Sequence, residues 1–247
     1  MLKRFAITVL GVLAVFALAA CGGDDGSNAS KTTPAGGAST APAAKGTAAK
    51  DPTEGGYVAK MKALTIPAGL ARGRNLGNDD AKVKLEIFED FRCIHCLEFT
   101  GDFEQFIVDS YVKTGKVQIQ FRYFPLGQTS LPMMAAAECA NEQELFWPYA
   151  KQLFLAQAES YEGGPALQTA FSEAKLKEYA TALGLDATKF AACYGSDGPL
   201  DAVSTDYREV QALSLKGTPA FVVNGKLLQE NPANNAAWKS VLDAAAK

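Results

Sequence analysis

The residues of this chain best suited to covalent chemistry lie together in the segment Cys93-Ile94-His95-Cys96. Two cysteines three positions apart fall within one helical turn, where they can close a disulfide with little backbone motion. A thiolate at the N-terminus of a helix is stabilised by unpaired backbone N–H groups and by the helix dipole, which lower its pKa. His95, the single histidine of the chain, adds a donor or a cation beside that thiolate. The segment therefore predicts thiol–disulfide exchange, with Cys93 as the reactive sulfur, Cys96 as its partner and His95 as a tuning residue.

Two other interpretations use the same cysteines. A structural disulfide without turnover would account for their spacing, and a zinc site could add the thiolates of Cys139 and Cys193. Zinc sites usually supply their ligands as close local pairs, whereas Cys139 and Cys193 are far apart in the sequence. We therefore expect neither a metal ion nor another cofactor.

The elements that must position Cys93 are predicted to be a strand, a helix and a second strand. Residues 83–89 alternate between apolar and polar side chains, as a half-buried strand does. Residues 91–113 are apolar at helical spacing, and residues 117–124 alternate again up to Pro125. The order predicts a βαβ unit with Cys93 at the junction between its first strand and its helix.

The rest of the chain completes a mixed α/β pattern. Residues 130–215 are mostly helical by their apolar spacing, and residues 219–223 predict a short strand. Asn224-Gly225 is a hairpin turn signal, followed by a strand at 226–229 and a final helix at 234–246. A helical block thus separates β-α-β from β-β-α.

This order of motifs resembles the DsbA-like branch of the thioredoxin superfamily. The resemblance rests on Phe-x-Asp-Phe-x-Cys-x-x-Cys at 88–96, on Gly-Thr-Pro-Ala-Phe at 217–221 and on Asn-Gly at 224–225, and it covers about residues 70–247. It implies an α/β, thioredoxin-like fold with an inserted helical domain. The expected parts are a first thioredoxin-like part at 57–129, a helical insertion at 130–205 and a second thioredoxin-like part at 206–247.

The same resemblance implies roles for residues outside the cysteine pair. Pro219 would be a cis-proline facing the active disulfide, in a loop that offers backbone groups to a substrate chain, and Thr218 would modulate the cysteines. Some relatives carry a second disulfide in the helical block, which here would join Cys139 and Cys193. Two free buried thiols, or a redox role for them, are the alternatives. Across a loop of this length the bond would stabilise the fold by roughly 4 kcal/mol.

Two departures from the family pattern bear on mechanism. Ile94 stands where the family often has proline after the first cysteine, so the redox direction stays open. Many relatives carry a buried acid six residues before that cysteine, where this chain has Ile87. Glu86 is on the opposite face of the strand and Glu89 is at its end, so we assign neither the role. Proton exchange at Cys96 is expected to use water or to be weak.

The N-terminus has the pattern of a secretory signal peptide at residues 1–20. Lys3 and Arg4 precede the apolar run Phe5–Ala20, which is too short to span a bilayer comfortably. Leu18-Ala19-Ala20-Cys21 resembles the lipobox of bacterial lipoproteins, which implies that Cys21 is lipidated and becomes the first mature residue. Residues 21–56, rich in small and polar side chains, are expected to form a flexible tether.

Together these features predict an extracytoplasmic, membrane-anchored dithiol oxidase, on the periplasmic face in a two-membrane bacterium. Its partners would be exported proteins with thiols or disulfides and a membrane redox protein that recycles it. A disulfide reductase or isomerase, or a non-catalytic tethered binding module on the same scaffold, are the alternatives. The formal charge of −3 over 247 residues gives no basic footprint for nucleic acid.

Overall fold

The computed structural model describes residues 56–247. The predicted signal peptide, Cys21 and all but the last residue of the predicted tether lie outside the described residues. The strands are β1 (Ala71–Arg72), β2 (Asn75–Leu76), β3 (Val83–Glu89), β4 (Val117–Tyr123), β5 (Ala220–Val223) and β6 (Lys226–Leu227). The α-helices are α1 (Tyr57–Ala63), α2 (Ile94–Phe99), α3 (Gln105–Ile107), α4 (Leu131–Asn141), α5 (Phe146–Tyr161), α6 (Leu167–Ala170), α7 (Glu173–Ala182), α8 (Ala187–Tyr194), α9 (Gly198–Ala212) and α10 (Asn235–Ala245).

The strands form one mixed sheet in the order β1-β2-β4-β3-β5-β6. β3 and β4 are parallel, and every other neighbouring pair is antiparallel. β3 therefore lies between β4 and β5, where Ile87 is opposite both Phe121 and Phe221. The predicted βαβ unit and the late hairpin are confirmed. Because Phe88 pairs with Ala220, the end of β3 that leads to the cysteines lies beside the start of β5.

Alternation along the strands divides the core between the two faces of the sheet. Leu85 and Ile87 belong to the larger cluster, with Phe121 and Phe221 from the flanking strands. Phe88 belongs to a smaller cluster on the opposite face, which includes Val210 from α9. Full burial of each such side chain contributes about 1.5–3 kcal/mol, so the alternation fixes which residues face each helix layer.

The helix that follows the cysteines is interrupted by two π-helical segments. It runs from α2 through Thr100–Glu104 and α3 to the second π-helical segment, Val108–Val112. A Cβ atom on Gly101 would lie 2.6 Å from the Tyr57 ring, so only glycine lets α1 pack against this segment. The Tyr57 hydroxyl also donates to Asp102 at 3.1 Å. The short elements α1, β1 and β2 were absent from the sequence prediction, because a helix of seven residues and strands of two residues leave little periodic pattern.

The predicted helical block lies between β4 and β5 and comprises α4 to α9. It continues to Ala212, so the boundary expected between residues 205 and 206 falls inside α9. Asp206 of α9 is buried, and it accepts hydrogen bonds from Arg74 and, at 2.8 Å, from the backbone N–H of Tyr123. These contacts tie α9 to the sheet. Among residues 56–247, no helix has the length and hydrophobicity required to cross a bilayer.

Candidate active site

The turn after β3 places Cys93 at the N-terminus of α2. Cys93 is the residue that caps the helix, with extended backbone angles, and its carbonyl accepts from the Leu97 N–H at 3.2 Å. Buried Asp90 fixes the turn, because its two carboxylate oxygens accept from the N–H groups of Arg92 and Leu126, each at 2.8 Å. The Cys93 sulfur therefore lies where the N–H groups of the first helical turn are unpaired, as expected from the sequence.

The Cys93 thiol has a pKa lowered to about 6. The hydrogen bond from the Cys96 thiol is the largest cause, and hydrogen bonds from Thr218 and from the backbone N–H groups of His95 and Cys96 add to it. Burial acts in the opposite direction, because it disfavours the charged form. Both active-site cysteines are free thiols in the structure. About 90% of Cys93 is then thiolate at pH 7, against about 1% for a thiol of pKa 9.

Cys96 differs from its partner because its sulfur is fully buried. Burial raises the pKa of Cys96 well above its usual value, and the hydrogen bond it donates to Cys93 and the negative charges of Glu89 and Cys93 raise it further. At neutral pH the pair therefore carries one thiolate, on Cys93, and one thiol, on Cys96. This asymmetry suits Cys93 to exchange disulfides with a substrate, as nucleophile and as leaving group, and suits Cys96 to form and break the internal bond with Cys93.

The loop before β5 brings Thr218 and Pro219 to Cys93. The Thr218–Pro219 peptide bond is cis, and the Cys93 thiol donates to the Thr218 carbonyl at 3.3 Å. The Thr218 hydroxyl is buried and is not used by any other group of the described residues, so it can donate to Cys93 once that thiol has ionised, which is the contact that helps to lower the pKa of Cys93. Asn231 donates to the Pro219 carbonyl at 3.0 Å and holds the loop from the far side. An open groove of about 730 Å³ runs along this loop, and Leu227 and Leu228 form part of its wall.

His95 is positioned differently from the expectation. Its side chain is 54% exposed, and Nδ1 lies 2.8 Å from a carboxylate oxygen of Glu98 on the same helix. What His95 gives to Cys93 is its backbone N–H, which any residue at that position would also supply. The role of the imidazole as a tuning group stays a prediction, and the structure supports it less than it supports the role of the helix N-terminus.

Cys139 and Cys193 form a disulfide away from the active pair. It joins α4 to α8, with a sulfur–sulfur distance of 2.10 Å and a Cα–Cα distance of 5.6 Å. Their thiolates are thereby not available to a four-cysteine zinc site with Cys93 and Cys96. Among the described residues, no group of three or more histidine, cysteine, aspartate or glutamate side chains is arranged to hold a metal ion.

The sequence analysis missed a buried carboxyl next to the cysteines. Glu89 is 2% exposed, and its pKa is raised well above the usual value by burial and by the charges of Glu104 and Cys93. The sequence analysis gave Glu89 no role because it ends the strand, and the structure does end β3 at Glu89 but buries its carboxyl. Alternation gives it the same face as Ile87 and Leu85, two and four positions earlier, and that pattern was the available signal. Glu104, eleven positions after Cys93, carried no comparable signal.

Comparison with known proteins places this geometry in a family. A family model described as thioredoxin matches residues 71–244. The probable disulfide bond formation protein D of Bacillus cereus is 29% identical over 171 residues, which are 68% of this chain and 76% of that protein.

Solved structures agree on the fold. BdbD from Bacillus subtilis superposes with a TM-score of 0.61 at 22% identity, over 70% of this chain and 92% of that chain. Alpha-DsbA1 from Wolbachia pipientis gives a TM-score of 0.58 at 20% identity, over 76% of this chain and 96% of that chain. The predicted thioredoxin-like fold with an inserted helical domain is thus confirmed. The chain belongs to the thioredoxin family, in which it is a DsbA-like thiol–disulfide oxidoreductase.

Proposed function

We propose that this protein oxidises the thiols of exported proteins through a Cys93–Cys96 disulfide. A substrate thiolate attacks the Cys93 sulfur, the Cys93–Cys96 bond breaks, and a mixed disulfide forms. A second substrate thiolate then displaces Cys93, so the substrate leaves with a disulfide and the protein keeps two thiols. The two electrons lost by the substrate reside in the reduced cysteine pair.

The proposal that the protein acts as an oxidant rests on the contrast between the pKa values of the Cys93 and Cys96 thiols. With a pKa of about 6, Cys93 is a good leaving group, and its ionisation stabilises the reduced form of the protein. Relative to a thiol of pKa 9, that ionisation amounts to about 1.4 kcal/mol at pH 7, or about 30 mV for a two-electron couple. A stabilised reduced form makes the disulfide the better oxidant.

The groove beside Thr218 and Pro219 supports the proposed binding of a substrate chain. The Thr218 carbonyl lies next to the Cys93 sulfur, and the groove that includes Thr218 has apolar lining from Leu215, Leu227 and Leu228. An extended peptide could pair with the loop backbone while its cysteine reaches Cys93. This recognition depends on backbone groups, so it suits many substrate sequences.

The proposed location follows from the N-terminal residues. Export by a signal peptide at 1–20 and lipidation of Cys21 would place the domain at a membrane surface outside the cytoplasm, where disulfides persist. The tether at 21–56 would give it an r.m.s. reach of roughly 30–35 Å. A membrane redox protein would reoxidise the pair there. Mass spectrometry of the native N-terminus tests this: an acylated Cys21 is expected, and an unmodified terminus would contradict the anchor.

Enzyme assays test the chemistry. Oxidation of a dithiol peptide and reduction of insulin are compared in wild type, Cys93→Ser and Cys96→Ser. We expect Cys93→Ser to lose both activities, and Cys96→Ser to accumulate a mixed disulfide on Cys93. Wild-type exchange no faster than Cys93→Ser would instead support the non-catalytic binding module.

Equilibration of the cysteine pair with glutathione gives its reduction potential, which tests whether the protein oxidises or reduces its substrates. We expect a potential above the roughly −270 mV of thioredoxin, as suits an oxidant. A potential at or below that value would favour the reductase. Refolding of a protein with scrambled disulfides distinguishes an isomerase, which would restore activity without net oxidation.

A further inference from the structure

The residue that follows β3 connects the active-site turn to a second loop. Asp90 is fully buried, and each of its carboxylate oxygens has its own partner. One oxygen accepts from the N–H of Arg92 and the other from the N–H of Leu126, which is 36 positions away in the chain. Hydrogen bonds to a charged acceptor are stronger than those between neutral groups, so this side chain holds both backbone segments firmly.

The carboxylate lies where the two central strands separate. Past the last residue pair of the ladder, one more backbone bond runs from the N–H of Phe124 to the carbonyl of Glu89, at 3.0 Å. In a parallel pair the next donor of β4 would bond the main chain two residues further along. Here the chain after β3 has turned away, and the Asp90 carbonyl accepts from the N–H of Cys93 at 3.0 Å. The Asp90 side chain therefore replaces the missing backbone acceptor for Leu126.

Asp90 also contacts the second cysteine. Burial is the largest cause of the raised pKa of Cys96, followed by the hydrogen bond it donates to Cys93. The backbone N–H of Asp90 acts in the opposite direction, because it donates to the Cys96 sulfur and stabilises its thiolate. The thiolate is the form of Cys96 that attacks a mixed disulfide, so this N–H favours the reactive state.

The loop that Asp90 holds leads into the helical insertion. After Leu126 the chain forms a 3-10 turn at Gln128–Ser130 and then α4, which the disulfide of Cys139 joins to α8. Leu126 is 55% exposed and lines an open groove together with Tyr207 of α9. Asp90 thus connects the turn that carries the cysteines to the segment that enters the insertion.

We propose that Asp90 is a positioning residue that aligns Cys96 for attack on a mixed disulfide at Cys93. Its carboxylate anchors the active-site turn to the loop before α4, and this anchor fixes the N–H that faces the Cys96 sulfur. The inference rests on the proposed exchange reaction of the cysteine pair and deepens it. Because both carboxylate oxygens accept from backbone N–H groups, the side chain acts through these hydrogen bonds and not by proton transfer.

The step that depends on Asp90 is resolution of the mixed disulfide. The Cys96 thiol loses its proton to solvent and attacks the Cys93 sulfur as a thiolate. The Cys93–Cys96 bond forms, and the bond from Cys93 to the substrate sulfur breaks, with its electron pair leaving on the substrate thiolate. The cysteine pair is oxidised and the substrate is reduced. The reacting sulfurs must be aligned, and a misplacement of about 1 Å can slow such a step about 10²-fold.

Single-turnover kinetics on the full chain test this role. Reduced protein is mixed with glutathione disulfide, quenched with acid and analysed by mass spectrometry, which separates formation of the Cys93 mixed disulfide from its resolution by Cys96. Asp90→Asn keeps the size of the side chain but offers one oxygen to two N–H groups, so one segment is released. We expect resolution to slow about 10- to 100-fold. Formation should stay within about threefold of the wild-type rate, because Cys93 alone attacks in that step.

Two variants of Leu126 test the anchor separately. Leu126→Pro removes the N–H that the carboxylate holds, whereas Leu126→Ala keeps that N–H and removes only the exposed side chain. We expect Leu126→Pro to slow resolution about as much as Asp90→Asn, and Leu126→Ala to stay within about threefold of wild type. The double variant of Asp90→Asn and Leu126→Pro should be no slower than the slower single variant, because both changes remove the same bond. Losses that multiply in the double variant would contradict the anchor.

The matched control for the charge is Asp109→Asn, which changes an exposed carboxylate paired with Lys113 and should leave both steps unchanged. Urea unfolding shows which variants fold. Resolution within about twofold of wild type in folded Asp90→Asn, or equal slowing of both steps, would overturn the positioning role. Absence of a mixed disulfide in wild type would instead contradict the proposed function, so the two failures are distinguishable.

Amide hydrogen exchange followed by NMR tests the anchor without turnover. In the reduced wild type, the N–H groups of Arg92 and Leu126 should both be protected, because each donates to a buried carboxylate. In Asp90→Asn at least one of them should exchange faster, and in Asp109→Asn neither should change. Rapid exchange of both groups in wild type would overturn the proposal even if no Asp90 variant folds.

Discussion

Replacing Cys96 with alanine is expected to raise the pKa of Cys93. The hydrogen bond from the Cys96 thiol is the largest of the interactions that hold the pKa of Cys93 at about 6. Alanine removes this donor, whereas serine keeps a hydroxyl at the same position. The two variants therefore separate the loss of the hydrogen bond from the loss of the second sulfur.

The size of the effect follows from the charge on the acceptor. A hydrogen bond to a charged group contributes about 1.5–3 kcal/mol, which raises the pKa by about one to two when it is lost. The pKa of Cys93 should then be about 7–8 in Cys96→Ala and closer to 6 in Cys96→Ser. At pH 7 the thiolate fraction should fall from about 90% to roughly 10–50% in the alanine variant.

Thiolate absorbance near 240 nm, followed against pH in the reduced proteins, measures these values. Alkylation by iodoacetamide gives an independent reading, because its rate follows the thiolate fraction. Cys93→Ser supplies the baseline and should show no transition near pH 6. A wild-type transition near pH 9, or the same pKa in Cys96→Ala as in wild type, would refute the argument.

The ionisation of Cys93 also makes the free energy of unfolding of the reduced protein depend on pH. The folded pKa of Cys93 lies below its unfolded value of 9.0, so ionisation stabilises the folded, reduced protein. The contribution is present in full above about pH 9 and is lost as the pH falls through about 6. Relative to reduced Cys93→Ser, it should be about 1.4 kcal/mol at pH 7 and about 0.4 kcal/mol at pH 6, by urea unfolding.

Three further predictions concern stability. Glu104→Gln should stabilise the protein by up to about 3 kcal/mol above pH 7 and by little below pH 4.5, because the raised pKa of Glu104 makes its ionisation costly in the folded state. Urea unfolding at pH 8 measures this, and equal stability of the variant and wild type would contradict it. Replacing both Cys139 and Cys193 with alanine should lower the free energy of unfolding by about 2–5 kcal/mol, measured by calorimetry, and should preserve peptide oxidation. Loss of peptide oxidation in a variant that still folds would indicate a redox role for this disulfide instead. Gly101→Ala should lower the melting temperature, since its Cβ would lie 2.6 Å from the Tyr57 ring, and Tyr57→Ala should suppress that cost.

The βαβ unit and the place of Cys93 within it could be predicted from the sequence because they depend on local patterns. Period-two alternation marks β3 and β4, and helical spacing marks the segment between them. The cysteines follow the first strand directly, so the position of Cys93 at a helix N-terminus needs no knowledge of distant residues. The late hairpin was equally local, because Asn224-Gly225 specifies its turn.

Contacts between distant parts of the chain were decided only by the tertiary structure. Thr218 lies 125 positions from Cys93, and it meets the sulfur because β5 pairs with β3. The pairing of Cys139 with Cys193 depends on how α4 and α8 pack, since four cysteines allow three pairings. Glu89 was recognisable as an inward position, but its raised pKa depends first on its burial and then on the charge of Glu104, which the π-helical turn brings to the same cavity. Burial and the charges of neighbouring groups set a pKa, and a linear sequence specifies neither until the elements have packed.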